Sequence, residues 1–296
     1  MFFLKYNKLY FAVTKNYPML NPQQSLNVGG RLLTLDRPCV MGILNVTPDS
    51  FFDGGRYDRV EDALKQAERM IAEGVDIIDI GGMSSRPGAK VLSSDEELNR
   101  VLPVVEAIRT SFPQITISID TVYAATAKAA IEAGADLVND ISAGTFDQEM
   151  YQTVADLGVP YVLMHMQGRP ETMQEHPDYE DVVLEVLDFF IAQTTILRKL
   201  GVKDIILDPG FGFGKSLEHN YELLKKMHVF RMLDCPVLAG ISRKSMINKV
   251  LGTRPENALN GTTALHMVAL QQGARLLRVH DVKEAVQVVK LWLHLQ

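Results

Sequence analysis

Short apolar runs of strand length recur along the chain, and segments with helical spacing separate them. A run that is apolar at consecutive positions is typical of a strand buried on both faces, as in a parallel sheet. The runs of this kind are Val40–Val46, Val75–Gly82, Thr116–Thr121, Leu137–Ile141, Pro160–Met166, Ile205–Asp208, Val237–Ser242 and Ala274–His280. We therefore predict a sheet of eight parallel strands.

Each predicted strand is followed by a segment with helical periodicity. These segments are Arg59–Glu73, a helix opened by a Ser94–Glu97 capping box, Tyr123–Ala133, Asp147–Leu157, Tyr179–Leu200, Ser216–Arg231, Pro255–Gln272 and Val282–Leu295. Glycine directly after most of them is the usual helix stop of a βα unit. Eight such units predict an α/β protein with a (β/α)8 TIM barrel. A doubly wound sheet is the alternative, but no Gly-x-Gly-x-x-Gly follows the first strand.

The N-terminal part of the chain is expected to stand apart from the barrel units. The pattern predicts a β-hairpin with the strands Leu26–Val28 and Arg31–Leu35 and the two-residue turn Gly29-Gly30. We expect this hairpin to cap the N-terminal end of the barrel. Residues 1–24 are predicted to be a poorly structured extension, since lysines interrupt each of their apolar runs and no signal-peptide pattern follows. Residues 25–296 then form a single domain.

Composition excludes several classes of function. The chain is 47% hydrophobic and 22% charged, with a net charge of −6, so it has no general basic surface for nucleic acid. No segment reaches the roughly 18 uncharged apolar residues of a membrane span. Cys39 and Cys235 have no metal-type spacing, so we expect two buried thiols and a cytoplasmic, reduced compartment.

Polar residues stand at the C-terminal end of every predicted strand. In a TIM barrel this end carries the chemistry, because the loops that follow the strands meet there. The residues are Asn45, Gly81–Gly88 with its Ser and Arg, Asp120, Asn139-Asp140, His165, Asp208–Lys215, Ser242–Lys244 and Arg278–Asp281. The N-terminal ends show nothing comparable, so we predict one active site at the C-terminal mouth.

Strand alternation divides these residues into two groups. Arg278 and His280 share a face, as do Ser242 and Lys244, whereas only one of Asn139 and Asp140 can point inward. The result is an acidic and amide floor of Asp120, Asn139 and Asp208 beside a cationic wall of Arg86, Lys244, Arg278 and His280. The floor suits a heterocycle with several N–H donors, such as a 2-amino-4-oxo pyrimidine ring. The wall suits a phosphate or diphosphate.

Some residues allow a purely structural interpretation as well. The two Phe of the loop 47–55 could cover a ligand or fold back onto the core. His165 could be a ligand or a packed core histidine, and Asp79 could be functional or simply paired with a neighbouring donor. The Gly-Phe-Gly-Phe-Gly run before Lys215 could be turn chemistry, but glycine also allows the backbone to approach a flat ligand. We favour a pocket role for this run and for its Phe213.

Five stretches of the sequence together resemble those of the dihydropteroate synthase family. They are Met41–Gly55, Gly81–Gly88, Leu207–Lys215, Ser242–Met246 and Arg278–Asp281. The resemblance runs from about Leu26 to the C-terminus. It implies an enzyme, a transferase of folate biosynthesis that condenses 6-hydroxymethyl-7,8-dihydropterin diphosphate with p-aminobenzoate and is a target of sulfonamides. It also implies Mg²⁺ as cofactor and a homodimer.

The resemblance assigns roles to individual positions. Asp120, Asn139, Asp208 and Lys244 are similar to the residues that hold the pterin edge. Arg278 would lie on the pterin face and bind the diphosphate with His280 and Asn45, and Asn45 would also contact the metal. The p-aminobenzoate site would be built by Phe51, Asp53, Ser85, Arg86 and Pro87. In the implied chemistry Asp53, Asp120 and Lys244 are catalytic, and the two carboxylates stabilise a developing cation at the pterin CH2.

The sequence departs from the family pattern at three positions. Ser85 stands where Thr is frequent, Met83 where Glu is common and Phe52 where a small residue is frequent. These changes remove no catalytic group but affect the expected affinity for sulfonamides. The alternatives are a pterin-dependent methyltransferase, which would not need the Arg278–His280 pair, and a non-catalytic pterin-binding barrel, which would not need Asp53.

Overall fold

The computed structural model describes residues 25–47, 56–83, 92–168, 173 and 177–296. The described strands are β1 Ser25–Val28, β2 Arg31–Thr34, β3 Cys39–Asn45, β4 Ile77–Gly81, β5 Thr116–Asp120, β6 Leu137–Asp140, β7 Tyr161–Met164, β8 Ile205–Asp208, β9 Val237–Ala239 and β10 Ala274–Val279. Eight parallel strands close a barrel in the order β10-β3-β4-β5-β6-β7-β8-β9, and a separate antiparallel pair, β1-β2, precedes it. The predicted TIM barrel is confirmed. Residues 1–24 lie outside the described ranges, so the predicted extension stays a prediction.

Helices follow the barrel strands and pack on their outer faces. In chain order the described helices are α1 Arg56–Glu73, α2 Ser94–Ser111, α3 Ala124–Glu132, α4 Met150–Leu157, α5 Val182–Leu200, α6 Leu217–Lys226, α7 Ser245–Leu251, α8 Leu259–Gln271 and α9 Val282–Leu293, with 3₁₀ turns at Met227–Leu233 and Pro255–Asn257. Among the described residues no helix is long and apolar enough to cross a membrane.

The barrel strands bury apolar side chains on both faces. Outward-facing residues such as Val40, Ile78 and Leu163 join the large cluster between strands and helices. Inward-facing residues at the N-terminal ends of the strands form a second cluster that includes Ile77 and Leu276. These two apolar layers explain why the strands appear in the sequence as continuous hydrophobic runs.

The N-terminal hairpin closes the bottom of the barrel, as predicted. Leu26 and Val28 of β1 are buried in the same cluster as the inward-facing strand residues. Charged groups fix the hairpin and the barrel base from outside. The Asp136 carboxylate accepts hydrogen bonds from Arg109 Nη2 at 2.6 Å and from the Ile117 backbone N–H at 2.8 Å, and it lies 3.6 Å from Arg31 Nη2 on the hairpin.

Two of the boundaries that differ from the prediction have local reasons. The capping box of α2 is formed by Ser93 and Glu96, one residue earlier than predicted, and Ser93 Oγ accepts from the Glu96 N–H at 3.3 Å. Strand β9 ends at Ala239 rather than Ser242, and the chain turns through Arg243, whose φ is 57°.

The predicted helix Pro255–Gln272 is divided. Its first residues form the 3₁₀ turn Pro255–Asn257, and α8 begins only at Leu259. Helix α7 was not predicted, because its seven residues are too few to show a helical period.

Candidate active site

A ring of polar side chains lies inside the barrel, one layer above the apolar cluster at its base. Arg278 of β10 donates from Nε to Asp79 Oδ2 and from Nη2 to Asp120 Oδ2, both at 2.6 Å. Asn139 of β6 donates from Nδ2 to the same Asp79 oxygen at 3.0 Å. Strands β4, β5, β6 and β10 thus contribute one linked network, which crosses the barrel interior.

Burial and neighbouring charges have opposite effects on the pKa values of the groups in this network. Burial raises the pKa of Asp120 to about 7, while the Arg278 guanidinium acts in the opposite direction. Burial also disfavours the Arg278 cation, but Asp79 and Asp120 outweigh this and raise its pKa. Arg278 is therefore a permanent cation held between carboxylates, and Asp120 is a carboxyl group whose ionisation depends on what else enters the site.

Asp208 and Lys244 form the other side of the mouth. Asp208 Oδ1 accepts from the Gly210 N–H at 2.8 Å, and burial raises the pKa of its carboxyl group against the opposing effect of Lys244. Burial lowers the pKa of Lys244 to about 8, an effect that Asp208 opposes. Lys244 Nζ donates to the Phe211 carbonyl and lies 4.6 Å from the centre of the Phe213 ring. Asp208 of the predicted floor and Lys244 of the predicted wall therefore lie together with Phe213, which was predicted as a pocket residue.

The structure resolves the choice between Asn139 and Asp140. Asn139 points into the barrel, whereas Asp140 points outward and accepts from the Ser142 and Tyr161 hydroxyls at 2.6 and 2.7 Å. Asp140 also accepts from the Gly144 N–H at 2.8 Å, so its carboxylate organises the loop after β6. Asn139 is the residue of this pair that joins the polar ring.

His280 is at the mouth of the barrel beside Ser242. The residue as a whole is exposed, but its Nδ1 lies 3.1 Å from Ser242 Oγ. Desolvation of the ring, together with the positive charges of Arg278 and Arg243, lowers the pKa of His280 to about 4. His280 was predicted to belong to a cationic wall. With this lowered pKa the ring is neutral near pH 7, and a bound anion would favour its protonation.

The glycine-rich loop after β8 packs tightly against the loop after β7. Gly210 has φ 67°, and a Cβ atom there would lie 1.9 Å from the His165 carbonyl oxygen. At Gly214 a Cβ would lie 2.2 Å from the Gln167 carbonyl oxygen. These two glycines are therefore required by contact with protein backbone, while the loop still places Phe213 beside Lys244.

Lys215 is the buried centre of this loop packing. Its Nζ lies 2.9 Å from His165 Nδ1 and donates to the carbonyl oxygens of Gly210 and Phe213, each at 3.0 Å. Burial lowers the pKa of Lys215 to about 7 and that of His165 to about 2. His165 also packs edge-on against Phe189, with the ring centres 4.9 Å apart. Of the two interpretations of His165, a ligand or a packed core histidine, the structure therefore supports the packed core histidine.

Asp79 and Lys215 make contacts that the sequence pattern indicates only weakly. For Asp79 the pattern allows a functional role or simple pairing with a neighbouring donor, and for Lys215 it indicates no role. The signal for Asp79 was available: it shares the inward face of β4 with Ile77 and Gly81, at the level of Arg278. For Lys215 the only signal was a lysine at the end of a glycine-rich loop.

Several predicted site residues lie outside the described residues. They are Phe51, Asp53, Ser85, Arg86 and Pro87, together with Phe52 of the first loop. Asn45 is described as the last residue of β3, directly beside Gly81 of β4. Met83 is partly buried against the apolar cluster that contains Phe213.

Comparison with known proteins identifies the family. A family model described as pterin binding enzyme matches residues 41–280. The chain is 47% identical to the dihydropteroate synthase of Escherichia coli K12 over 264 residues, which is 88% of this chain and 93% of that protein. It belongs to the dihydropteroate synthase family. The chain is thus a transferase of this family.

Two solved structures of the family show the same fold. A Yersinia pestis dihydropteroate synthase in complex with a sulfonamide drug superposes with a TM-score of 0.86 at 43% identity, covering 92% of this chain and 98% of that one. A Xanthomonas albilineans dihydropteroate synthase in complex with 7,8-dihydropteroate superposes with a TM-score of 0.83 at 42% identity, with the same coverage. The expected activity, family and fold are therefore confirmed, whereas the residue assignments remain predictions.

Proposed function

We propose that this chain condenses 6-hydroxymethyl-7,8-dihydropterin diphosphate with p-aminobenzoate and releases pyrophosphate. The observation that carries this proposal is the inner polar ring. Asp120, Asn139 and Asp208 supply hydrogen-bond acceptors, while Lys244 and Arg278 supply cations, all at the C-terminal mouth. This arrangement matches a flat ring with several N–H donors that carries a diphosphate on one side.

The bond changes are a displacement at the exocyclic CH2 of the pterin. The arylamine nitrogen forms a bond to this carbon, the C–O bond to the diphosphate breaks, and the electron pair leaves with pyrophosphate. The amine gives its surplus proton to solvent. Arg278 favours the leaving group electrostatically, and Asp120 favours positive charge that develops on the pterin. Lys244, held over Phe213, fixes the edge of the ring.

Asp53 and the p-aminobenzoate residues Phe51, Ser85, Arg86 and Pro87 keep the roles that the family resemblance implies. His280 joins the diphosphate contacts, where the anion would raise its pKa from about 4 and favour the protonated form.

Mg²⁺ is the proposed cofactor, with Asn45 as its protein contact. Among the described residues no group of three or more His, Cys, Asp or Glu could hold a metal. A single amide oxygen at the end of β3 fits Mg²⁺, which keeps most of its waters and takes phosphate oxygens as further ligands. When bound, the ion neutralises charge on the diphosphate.

Pyrophosphate release tests the proposed function directly. The purified protein should release pyrophosphate only when the dihydropterin diphosphate, p-aminobenzoate and Mg²⁺ are all present. Asn45→Ala should weaken the diphosphate substrate more than 6-hydroxymethyl-7,8-dihydropterin, which has no phosphate. Release that does not depend on p-aminobenzoate would contradict the proposal, and full activity in excess chelator would contradict the role of Mg²⁺.

The protein is further proposed to be a cytoplasmic homodimer. Exposed apolar residues on α7 and at the start of α8, namely Val250, Leu251 and Leu259, support a contact between copies. Both cysteines are free and buried, which fits a reduced compartment. Light scattering should give the mass of a dimer, and Val250→Asp with Leu251→Asp should shift it toward the monomer. A dimer that survives both changes would place the interface elsewhere.

A further inference from the structure

Two pairs of side chains join the segment after β9 to the segment after β10. In the first pair, Ser242 Oγ accepts from the His280 backbone N–H at 3.2 Å and lies 3.1 Å from His280 Nδ1. In the second pair, Arg243 donates to both carboxylate oxygens of Asp281, from Nε at 2.9 Å and from Nη2 at 2.5 Å. Since the backbone ladder of β9 ends before Ser242, side-chain contacts continue the link between the two chain segments.

The Arg243 backbone is held in a conformation that arginine rarely adopts. Its φ is 57°, in the left-handed region that is unfavourable for residues other than glycine. Hydrogen bonds on both sides hold it there, because its N–H donates to Thr262 Oγ1 and its carbonyl accepts from Asn248 Nδ2, each at 3.1 Å. A strained residue persists only where its surroundings impose the strain, and such residues cluster at functional sites.

Asp281 departs from the usual behaviour of its residue type as well. It is the N-cap residue of α9, where an Asp side chain ordinarily accepts from the first free N–H groups of the helix. In this protein the side chain makes no capping hydrogen bond, and both of its oxygens bind Arg243. The chain thus forgoes a helix cap and adopts a strained turn, and both features serve one bidentate ion pair.

We infer that Arg243 and Asp281 are positioning residues whose ion pair fixes Lys244 and His280 relative to each other. This inference rests on the proposed function, in which Lys244 fixes the edge of the pterin and His280 contacts the diphosphate. Arg243 directly precedes Lys244 in the chain, and Asp281 directly follows His280. The ion pair therefore sets the separation of two groups that act on different parts of one substrate. Neither Arg243 nor Asp281 contacts the substrate in this scheme.

Two substitutions remove the ion pair and at the same time suit the local backbone. Arg243→Gly introduces the residue that adopts a φ of 57° most readily. Asp281→Ser introduces a strong N-cap residue, and Glu284, the third residue of α9, completes a Ser-x-x-Glu capping box with it. We therefore expect the midpoint of urea unfolding of each variant to stay close to that of the unaltered protein.

The rate of pyrophosphate release should nevertheless fall in both variants. With saturating p-aminobenzoate and Mg²⁺, kcat/KM for the dihydropterin diphosphate should decrease by about 10- to 100-fold, as expected when acting groups are misplaced by about 1 Å. The double variant should lose no more than the poorer single variant, because the two residues act as one unit. Arg243→Lys should recover part of the activity that Arg243→Gly loses, since an ammonium group can bind one Asp281 oxygen but not both.

Arg37→Gly is the matched control. Arg37 forms the same kind of bidentate pair with Asp76 at the N-terminal end of the barrel, with Nη1 3.1 Å from Oδ2 and Nη2 2.5 Å from Oδ1. Loss of this pair should leave kcat/KM unchanged. An equal fall of kcat/KM in Arg37→Gly would mean that the activity follows general stability, and it would overturn the inference.

Further results would also overturn the positioning role. Unchanged kcat/KM in Arg243→Gly and Asp281→Ser would do so, as would losses that multiply in the double variant or an Arg243→Lys no more active than Arg243→Gly. Calorimetry of Asp281→Ser with pyrophosphate and Mg²⁺ excludes a direct role of Arg243, because binding tighter than in the unaltered protein would show that the released guanidinium holds the anion itself. If the unaltered protein released no pyrophosphate, that result would instead contradict the proposed function.

Discussion

At the scale of single residues, the site depends on polar groups that are buried and matched. Asp208 is 5% exposed, and its carboxylate has one described hydrogen bond, from the Gly210 N–H. In the proposed function, the remaining acceptor capacity of this carboxylate binds N–H groups of the pterin. His280 is a neutral ring at the rim, next to the cation of Arg278. We therefore expect a change at Asp208 to alter pterin affinity and a change at His280 to alter the proton uptake that accompanies pyrophosphate binding.

Asp208→Asn should weaken pterin binding. The change replaces one acceptor by a donor and leaves a pterin N–H unpaired in a buried site, which costs about 1.5–3 kcal/mol, or roughly 10- to 100-fold in affinity. Calorimetric titration with a pterin measures the loss. Asp156→Asn, the same change on the exposed side of α4, is the control. Unchanged pterin affinity in Asp208→Asn would remove this residue from the site.

Pyrophosphate binding should be linked to protonation of His280. The pKa of about 4 leaves the free ring neutral at pH 6, and a nearby anion raises this pKa, so binding takes up a proton. Affinity should accordingly increase as pH falls toward 6. Calorimetry in buffers with different ionisation enthalpies counts the protons taken up. The difference between the unaltered protein and His280→Gln isolates the histidine, since pyrophosphate itself also titrates.

The exposed His294 provides the matched control for this measurement. His294→Gln should leave the proton uptake unchanged. Equal proton uptake by the unaltered protein and His280→Gln would show that His280 does not contact the anion.

At the scale of elements, contacts between side chains and backbone groups fix the loops and helix ends. The local sequence pattern predicts these contacts only in part. The loop after β8 is held by Lys215, which joins carbonyl groups of its own loop to His165 at the end of β7. Helix α2 begins one residue earlier than its sequence pattern predicted. Both features can be tested by their effect on stability.

Lys215→Met should destabilise the protein and change its pH dependence. The variant leaves buried carbonyl oxygens without a donor, which costs about 1–3 kcal/mol. The folded-state pKa of about 7 lies below the ordinary value of 10.5, so the unfolded chain binds more protons between these values. The Lys215 contribution to stability therefore increases from pH 7 to pH 9, by up to about 1.4 kcal/mol for each pH unit.

Urea unfolding of the unaltered protein and of Lys215→Met at pH 7 and pH 9 measures both effects. The difference between the two proteins should be larger at pH 9. Lys225→Met, on the exposed face of α6, should show neither effect. A difference that shrinks with pH would mean that Lys215 is charged in the folded protein throughout this range.

Ser93→Ala should destabilise α2 by about 1 kcal/mol, because the Ser93 side chain caps the helix. Ser94, the N-cap expected from the sequence, lies within the first turn, and its hydroxyl lies 3.3 Å from Thr126 Oγ1. Ser94→Ala should therefore cost less. Thermal or urea unfolding of the two variants decides between the positions. A larger loss in Ser94→Ala would restore the sequence-based assignment.

At the scale of the whole molecule, the contacts that stabilise the fold at the barrel base and the polar ring lie at opposite ends of the barrel. The N-terminal end is closed by the hairpin and by the charged cluster of Arg31, Arg109 and Asp136. The C-terminal end holds the polar ring. Since the packed barrel interior lies between the two ends, a change at the base should affect folding without altering the reaction.

Asp136→Asn tests this separation. The asparagine lacks the charge that Arg109 contacts at 2.6 Å, and the hydrogen bond from the Ile117 N–H becomes weaker. We expect a loss of about 1–3 kcal/mol in the free energy of unfolding. At 25 °C, kcat and KM should remain those of the unaltered protein. A changed KM for either substrate would show that the base of the barrel is coupled to the site.

The sequence by itself determined the architecture and the end of the barrel where the polar ring lies. Hydrophobic periodicity and glycine stops are local signals, so each βα unit could be predicted from its own residues. The clustering of Asp120, Asn139, Asp208 and Arg278 at strand ends followed from topology alone, because parallel strands bring their C-terminal ends to one mouth. The expected activity came from long motifs in a known order.

Only the tertiary structure decided which side chains meet. Arg278 and Asp79 are 199 positions apart, and no local pattern shows that one guanidinium joins two carboxylates across the barrel. The inward direction of Asn139 and the burial of Lys215 against His165 likewise depend on how neighbouring strands and loops pack. Periodicity predicts the face of a strand or helix on which a side chain lies. Its hydrogen-bond partners depend on distances between elements that the chain brings together only when it folds.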